Sequence, residues 1–234
     1  MNIAIMQPYV FPYIGYFQLI YATDKFVFYD DVDFIKGGWI NRNKILINKK
    51  EHLFTVPLKE ASSFNLINET VLHPVIYQKW KTKFLKSLSQ TYCKAKYFNE
   101  VFPIIQKVFE SKNDISNLAM ESILEFMDYL DVERDFYLSS RDFPDTKGME
   151  RANRIIEITN RLGGDSYINM PGGKKLYGKE FFAEHKIKLE FLQPSISVYD
   201  QNMNGFVPGL SIIDILMYCS KRQVHEILKD YKLQ

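Results

Sequence analysis

The sequence predicts an α/β fold with a mainly parallel sheet. Three observations predict it. Residues 2–31, NIAIMQPYVFPYIGYFQLIYATDKFVFYDD, pass through an apolar run, a turn, a helical stretch and a second apolar run, the pattern of a parallel βαβ unit. A third apolar run, 136–139, ends in Ser139-Ser140. Strand-like and helix-like segments alternate again toward the end of the chain, as an α/β architecture requires.

In order, residues 3–6 read as a buried strand and residues 7–13 as a loop rich in Pro and Tyr. Residues 15–22 place Phe17, Ile20 and Tyr21 on one helical side, and residues 26–29 form a second strand that ends at Asp30 and Asp31. Ligands of open parallel sheets bind beyond the carboxyl ends of the strands, near the first helix. Gln7, Tyr9 and Tyr13 after the first strand, and Asp30 and Asp31 after the second, are therefore expected around one crevice. A loop whose rings only pack on the core would account for the same residues.

Gly37-Gly38 interrupts the chain, and 39–47 and 53–57 read as an edge hairpin across the polar turn 48–51. Lys36, Trp39, Asn41, Arg42 and Asn43 lie close together there. Cations, paired amide groups and a flat ring suit an anionic ligand that contains a ring; a solvated hairpin whose Trp covers the core is the alternative. Residues 69–72 suggest a short strand. Three helices follow: one opening at His73-Pro74 with Trp80, Phe84 and Leu88 as its stripe, one over 97–109 capped by Asn99, and one over 115–130 capped by Ser116. They form an expected helical insertion at 73–131 within a single domain, 1–234. His73 reads as a capping or surface residue.

Residues 147–162 carry a helical stripe that stops at Gly163-Gly164. A strand at 166–168 leads to Pro171-Gly172-Gly173-Lys174-Lys175, a basic turn without P-loop spacing. A helix over 178–185, a strand over 188–192 and a loop over 199–208 follow. Ser211 caps the next helix, with Asp214 expected to answer it at the third position. A last helix is expected over 221–231.

The 234 residues carry a formal charge of +2, which excludes a dominant pull on DNA, RNA or a membrane surface. Aromatic residues make up 15% of the chain, enough to build a core and still line a site. Cys93 and Cys219 are far apart, and His52, His73, His185 and His225 are scattered, so neither a disulfide scaffold nor a metal site is expected. No GxSxG elbow occurs. No run is long enough to span a bilayer and no signal-peptide pattern opens the chain, so a cytoplasmic location is expected.

QPYVFPYIGYFQLI, FVFYDDVDFIKGGWINRNKIL, TVPL, RLGGDSYINMPGGKKLY and NGFVPGLSIIDILM, in that order over residues 6–217, together resemble the WbqC-like proteins. The resemblance implies a role in O-antigen or other surface-polysaccharide biosynthesis, where some members are proposed to add glycine or another acyl group to an amino sugar. A second likeness is to the HIGH-type nucleotidyltransferases and the adenylate-forming amide ligases, which carry HxGH after the first strand. Here that place holds Tyr13-Ile14-Gly15-Tyr16. The likeness implies a HIGH-type, Rossmann-like architecture. Tyrosine, with a reference pKa of about 10, donates a hydrogen bond but brings no positive charge to a phosphate, while Gly15 would admit close approach.

Three functions follow as expectations. The first is an acyl- or aminoacyltransferase acting on an amino sugar, probed through Asp30 or Asp31 as base and Tyr13, Tyr16 or Asn41 as oxyanion donors. In it Lys36, Arg42 or Lys174 holds the diphosphate of a sugar nucleotide, Trp39 stacks, and Gln7, Tyr9 and Gly15 complete the substrate site. The second is an ATP-dependent amide ligase or nucleotidyltransferase. The third is a non-catalytic binding protein of a polysaccharide-assembly complex. The expected partners are small molecules, a sugar nucleotide and an acyl donor, with self-association as a homo-oligomer left open.

Overall fold

The first strand, β1 (Asn2–Met6), is buried at Ile3, Ala4 and Ile5. The chain turns into α1 (Ile14–Tyr21) and returns as β2 (Lys25–Phe28), parallel to β1 from Ile3↔Lys25 to Met6↔Phe28. This is the βαβ unit that the opening residues predict. The computed structural model describes residues 1–110 and 113–234.

A hairpin follows, β3 (Arg42–Ile47) with β4 (Lys50–Thr55). Asn48 and Lys49 between them have φ of 52° and 61°. Two successive left-handed residues give a tight turn whose twist matches the strands. The turn is therefore shorter than 48–51, and the second strand starts earlier than 53. The hairpin forms a separate two-stranded sheet and does not extend the edge of the main one.

Three helices come next: α2 (Ile76–Tyr92), α3 (Phe98–Val108) and α4 (Ile115–Tyr129). His73 Nδ1 accepts from the Val75 and Ile76 N–H groups at 3.3 and 3.2 Å, the capping role expected of it, with Pro74 in the turn before the helix. Two caps differ from expectation. Asp114 caps α4 by accepting from Asn117 N–H at 2.8 Å, because Ser116 lies inside the helix and is buried. Asn99 also lies inside its helix, which has no side-chain cap. The expected strand over 69–72 reduces to single bridges at Val71 and Leu72, beside a 3-10 turn at Ile67–Glu69.

The chain then forms β5 (Asp135–Leu138), α5 (Ser139–Asp142), α6 (Arg151–Arg161), β6 (Ser166–Asn169), α7 (Lys179–Glu184) and β7 (Lys188–Pro194). It ends with α8 (Ile212–Tyr218), α9 (Lys221–Lys229) and β8 (Tyr231–Leu233). β8 is an antiparallel edge strand on β7, where the sequence pattern predicts helix through to 231.

The main sheet has the order β5-β2-β1-β6-β7-β8, parallel apart from β8. From β1 the chain builds outward on one side, then crosses back and builds outward from β6. The reversal falls between β1 and β6, the topological switch point where open α/β sheets bind ligands. β1 and β6 pair only at Asn2↔Ser166 and Ile3↔Tyr167, so they part toward their carboxyl ends.

Alternate β1 residues face opposite layers. Ala4 joins the larger core with Phe17 and Leu19 of α1, Leu216 of α8 and Leu228 of α9. Phe84, Val101 and Ile123 of α2, α3 and α4 belong to that same core. Ile3 and Ile5 join a smaller core with Ile155 and Ile158 of α6 and Phe182 of α7. No helix among the described residues is long and apolar enough to cross a membrane.

Candidate functional site

Where β1 and β6 part, two chambers open, of about 390 Å³ and about 710 Å³. Met6, Tyr9 and Met170 line both. The smaller is aromatic, walled by Tyr13, Tyr16 and Trp39. The larger is charged, with Asp31, Asp33, Lys147, Arg151 and Arg154 on its walls. The sheet topology and the splayed strands thus place one two-part crevice at the switch point.

The 7–13 loop that separates the chambers is held from every side. Val10 N–H donates to the Ile40 carbonyl at 3.0 Å, and Phe11 N–H to Ser122 Oγ at 2.8 Å. The Phe11 carbonyl accepts from Ser211 Oγ at 2.7 Å and Asn43 Nδ2 at 2.8 Å, and the Pro12 carbonyl from Ile212 N–H at 2.9 Å. Phe11 has φ of 43° and is fully buried. A non-glycine residue there costs about 1–3 kcal/mol and persists only where its surroundings over-determine it. These bonds and the packing of Phe11 on Phe109 and Phe126 do so. The loop therefore presents Tyr9 and Tyr13 on a fixed backbone.

The phenols stay neutral. Burial pushes Tyr13 up to about 12 and also raises Tyr9. Tyr16 is raised well above its ordinary value, again by burial, and its hydroxyl donates to the Gln7 carbonyl at 2.9 Å. Tyr9 stacks obliquely on Tyr16 with centroids 5.6 Å apart. Gly15 does what its missing side chain permits, but not by admitting a phosphate. A Cβ there would meet the Tyr13 ring at 2.5 Å, so the ring of Tyr13 itself occupies the space over the glycine.

The adjacent carboxylates separate in role. Asp30 lies outside both chambers. Its Oδ1 accepts from Ser139 Oγ and Ser140 N–H, both at 3.0 Å, and its Oδ2 from Ser140 Oγ at 2.6 Å and Asn68 Nδ2 at 3.2 Å. It fastens the end of β2 to the end of β5. Asp31 faces the larger chamber, with Arg154 Nη2 at 2.6 Å on Oδ2 and Ser139 Oγ at 2.5 Å on Oδ1. Both members of the Asp31–Arg154 pair are buried, and the guanidinium lies 4.8 Å from the Tyr29 ring centroid.

Trp39 reaches the smaller chamber, with the Arg42 guanidinium 5.6 Å from its ring centroid. Arg42 itself donates to the Gly38 carbonyl at 2.8 Å, and Asn41 donates to the Val56 carbonyl at 2.9 Å; both support the hairpin and stand outside the chambers. Lys36 is exposed and also outside them. Lys174 is drawn away by Gln234 Oε1 at 2.7 Å. Gln7 lines the larger chamber. The structure thus gathers Gln7, Tyr9, Tyr13, Tyr16, Asp31 and Trp39, and leaves Asp30, Lys36, Asn41, Arg42 and Lys174 outside.

Residues absent from the sequence reading take their place: Asp33, Lys147, Arg151, Arg154 and Asn169 in the larger chamber, and Lys44 in the smaller, where Asn43 of the 36–43 cluster also lies. One signal was visible. Arg154 stands one turn before Ile158 on α6 and is buried with it, and a buried arginine demands a partner.

The model of the WbqC-like protein family matches residues 7–226. The chain belongs to that family. This WbqC-like match takes in the 7–13 loop, both carboxylates and the whole of α6. A curated relative, "Uncharacterized protein Rv1507c" of Mycobacterium tuberculosis (strain ATCC 25618 / H37Rv), is 26% identical over 219 residues, covering 92% of each chain. No solved structure matches.

Proposed function

We propose that this WbqC-like protein is an acyl- or aminoacyltransferase that modifies an amino sugar, nucleotide-linked, in surface-polysaccharide biosynthesis. The observation that carries the reading is the paired crevice: an aromatic chamber and a charged chamber meeting at Tyr9. Two reactants need two adjoining compartments and fixed donors where charge develops. The sugar's amine attacks the acyl carbon, the C–N bond forms, the acyl leaving group departs, and the amine's proton passes to a carboxylate. Asp31 and Asp33 are the carboxylates that face the chamber, so the base is sought there. Tyr9 and Tyr13, held neutral, are the donors for the oxyanion.

The test is mass spectrometry of the purified protein incubated with nucleotide amino sugars and activated glycine or acyl donors. A product heavier by one acyl group is expected, formed more slowly by Tyr9→Phe and Asp33→Asn. No mass gain with any pair, or unchanged rates in both variants, rejects the reading.

The strand order with its switch point beside β1 also favours a HIGH-type sheet, with 73–131 as an insertion, and hence an ATP-dependent ligase. That second reading expects magnesium-dependent diphosphate release from ATP. It is rejected if ATP at millimolar concentration does not bind.

A further inference from the structure

We infer that the larger chamber holds a diphosphate-binding subsite formed by Lys147 and Arg151. It lies where the segment leading into α6 faces the glycine-rich turn after β6. The inference rests on the transferase reading for what the diphosphate is attached to, and on the side chains alone for the anion.

Three cations face the chamber: Lys147, Arg151 and Arg154. Arg154 is committed, with Nη2 on Asp31 and Nε on Thr146 Oγ1 at 3.0 Å. Lys147 and Arg151 have no ion-pair partner among the described residues. Arg151 is exposed and lines the chamber together with Tyr29 and Tyr177. Its positive charge opposes the rise that burial gives to the pKa values of Tyr29 and Tyr177. Tyr177, pushed up to about 12 by burial, remains a neutral donor lining the same chamber.

Two of the neighbouring carboxylates are engaged elsewhere. Asp31 holds Arg154, and Glu150 accepts from Ala152 and Asn153 N–H at the head of α6. Asp33 belongs to the wall after β2, not to the segment that carries the two cations. A guanidinium fork and an ammonium, both uncommitted, match two linked phosphates better than one carboxylate. A chamber of about 710 Å³ falls within the roughly 300–1,000 Å³ of small-molecule sites. Ile35, Met149 and Leu176 are exposed along the same chamber and supply apolar surface for whatever esterifies the diphosphate. The shared chemistry is a diphosphate ester, from a nucleoside or from a prenyl chain.

The experiment is calorimetric titration of the whole protein with inorganic diphosphate, a nucleoside diphosphate and a short prenyl diphosphate. Wild type is expected to bind inorganic diphosphate. Replacing both Lys147 and Arg151 by Ala should weaken it about tenfold or more, as loss of charge-assisted hydrogen bonds implies. Gly172→Glu is the second variant. A Cβ at Gly172 meets nothing within 4 Å and its φ is not in the left-handed region, so the fold tolerates it while a repelling charge enters the rim. Lys36→Ala with Lys174→Ala should change nothing. Tighter binding of the nucleoside or of the prenyl compound identifies the source.

Absence of binding, or binding undiminished in the double variant and in Gly172→Glu, overturns the inference. Acyl transfer without diphosphate binding at these residues defeats the subsite alone. Binding there without acyl transfer defeats the transferase reading alone.

Discussion

Asp31 and Asp214 are both almost wholly buried, yet the protein treats them differently. Asp31 faces a chamber and has a guanidinium at 2.6 Å. Asp214, on α8, meets neutral donors alone among the described residues: Tyr92 Oη at 2.7 Å, Tyr199 Oη at 2.6 Å and Gln201 Nε2 at 2.9 Å. Burial without a cation pushes the Asp214 carboxyl above its ordinary value. One site keeps a charge pair at the edge of the crevice. The other is a hydrogen-bonded knot in the core, joining α2, α8 and the segment before α8 that contributes Ile196 and Gly209 to the smaller chamber. Burial alone therefore does not separate a site acid from a structural one; the partner does.

The strongest way to break this comparison is Arg154→Met. It strands Asp31 as an unpaired buried charge, and urea unfolding should show a loss of about 3–5 kcal/mol. A loss below about 1 kcal/mol would mean that water solvates Asp31 and that the contrast is false. Asp30→Asn comes next. It turns an amide N–H₂ toward groups that only donate or prefer to donate, and should cost about 1.5–3 kcal/mol while leaving diphosphate binding intact.

Asp214→Asn is expected to cost less, about 1–2 kcal/mol near neutral pH, and the size of the cost depends on pH. The folded pKa of Asp214 lies above the ordinary 3.8. Its protonation thus favours the folded state fully below that value, and this contribution is lost as pH rises through the folded pKa. Urea midpoints measured from acid toward neutral pH should fall more for wild type than for Asp214→Asn. Equal slopes would show that Asp214 titrates normally. The smallest effect belongs to Tyr13→Phe, which should shift stability by no more than about 0.5 kcal/mol. It should still remove one phenol from the ultraviolet alkaline titration, with a midpoint at about 12.

Much of the fold was legible in the chain. The βαβ opening, the third parallel strand, the hairpin and most helices carry local signals of period, turn and punctuation. Misreadings fell where two local signals competed. Ser116 looks like a cap, yet Asp114 reaches the free N–H group first. Asp214 stands three residues after Ser211, as in a capping box, but Ser211 caps from its own Oγ, accepting from Ile213 N–H at 3.3 Å, and Asp214 is drawn inward by two phenols. β8 follows a helical pattern and forms because β7 offers an unpaired edge.

The candidate site was legible mostly in the segments that follow β1 and β2, with Tyr16 in α1 and Trp39 ahead of the hairpin besides. Gln7, Tyr9, Tyr13 and Asp31 lie just beyond the ends of β1 and β2, so chain direction alone brings them to the crevice. Lys147, Arg151, Arg154 and Asn169 come from distant segments. Their arrival depends on β6 crossing to the far side of β1.

By itself, the sequence determined the strands, the helices and the direction in which the first two strands point, because each rests on contacts between near neighbours. Tertiary structure alone decided which charges survive as available charges. The adjacent Asp30 and Asp31 are alike in sequence, and only the arrival of Ser139, Ser140 and Arg154 made one a fastening and the other a wall of the chamber. That outcome depends on burial and on partners more than a hundred residues away, which no local pattern encodes.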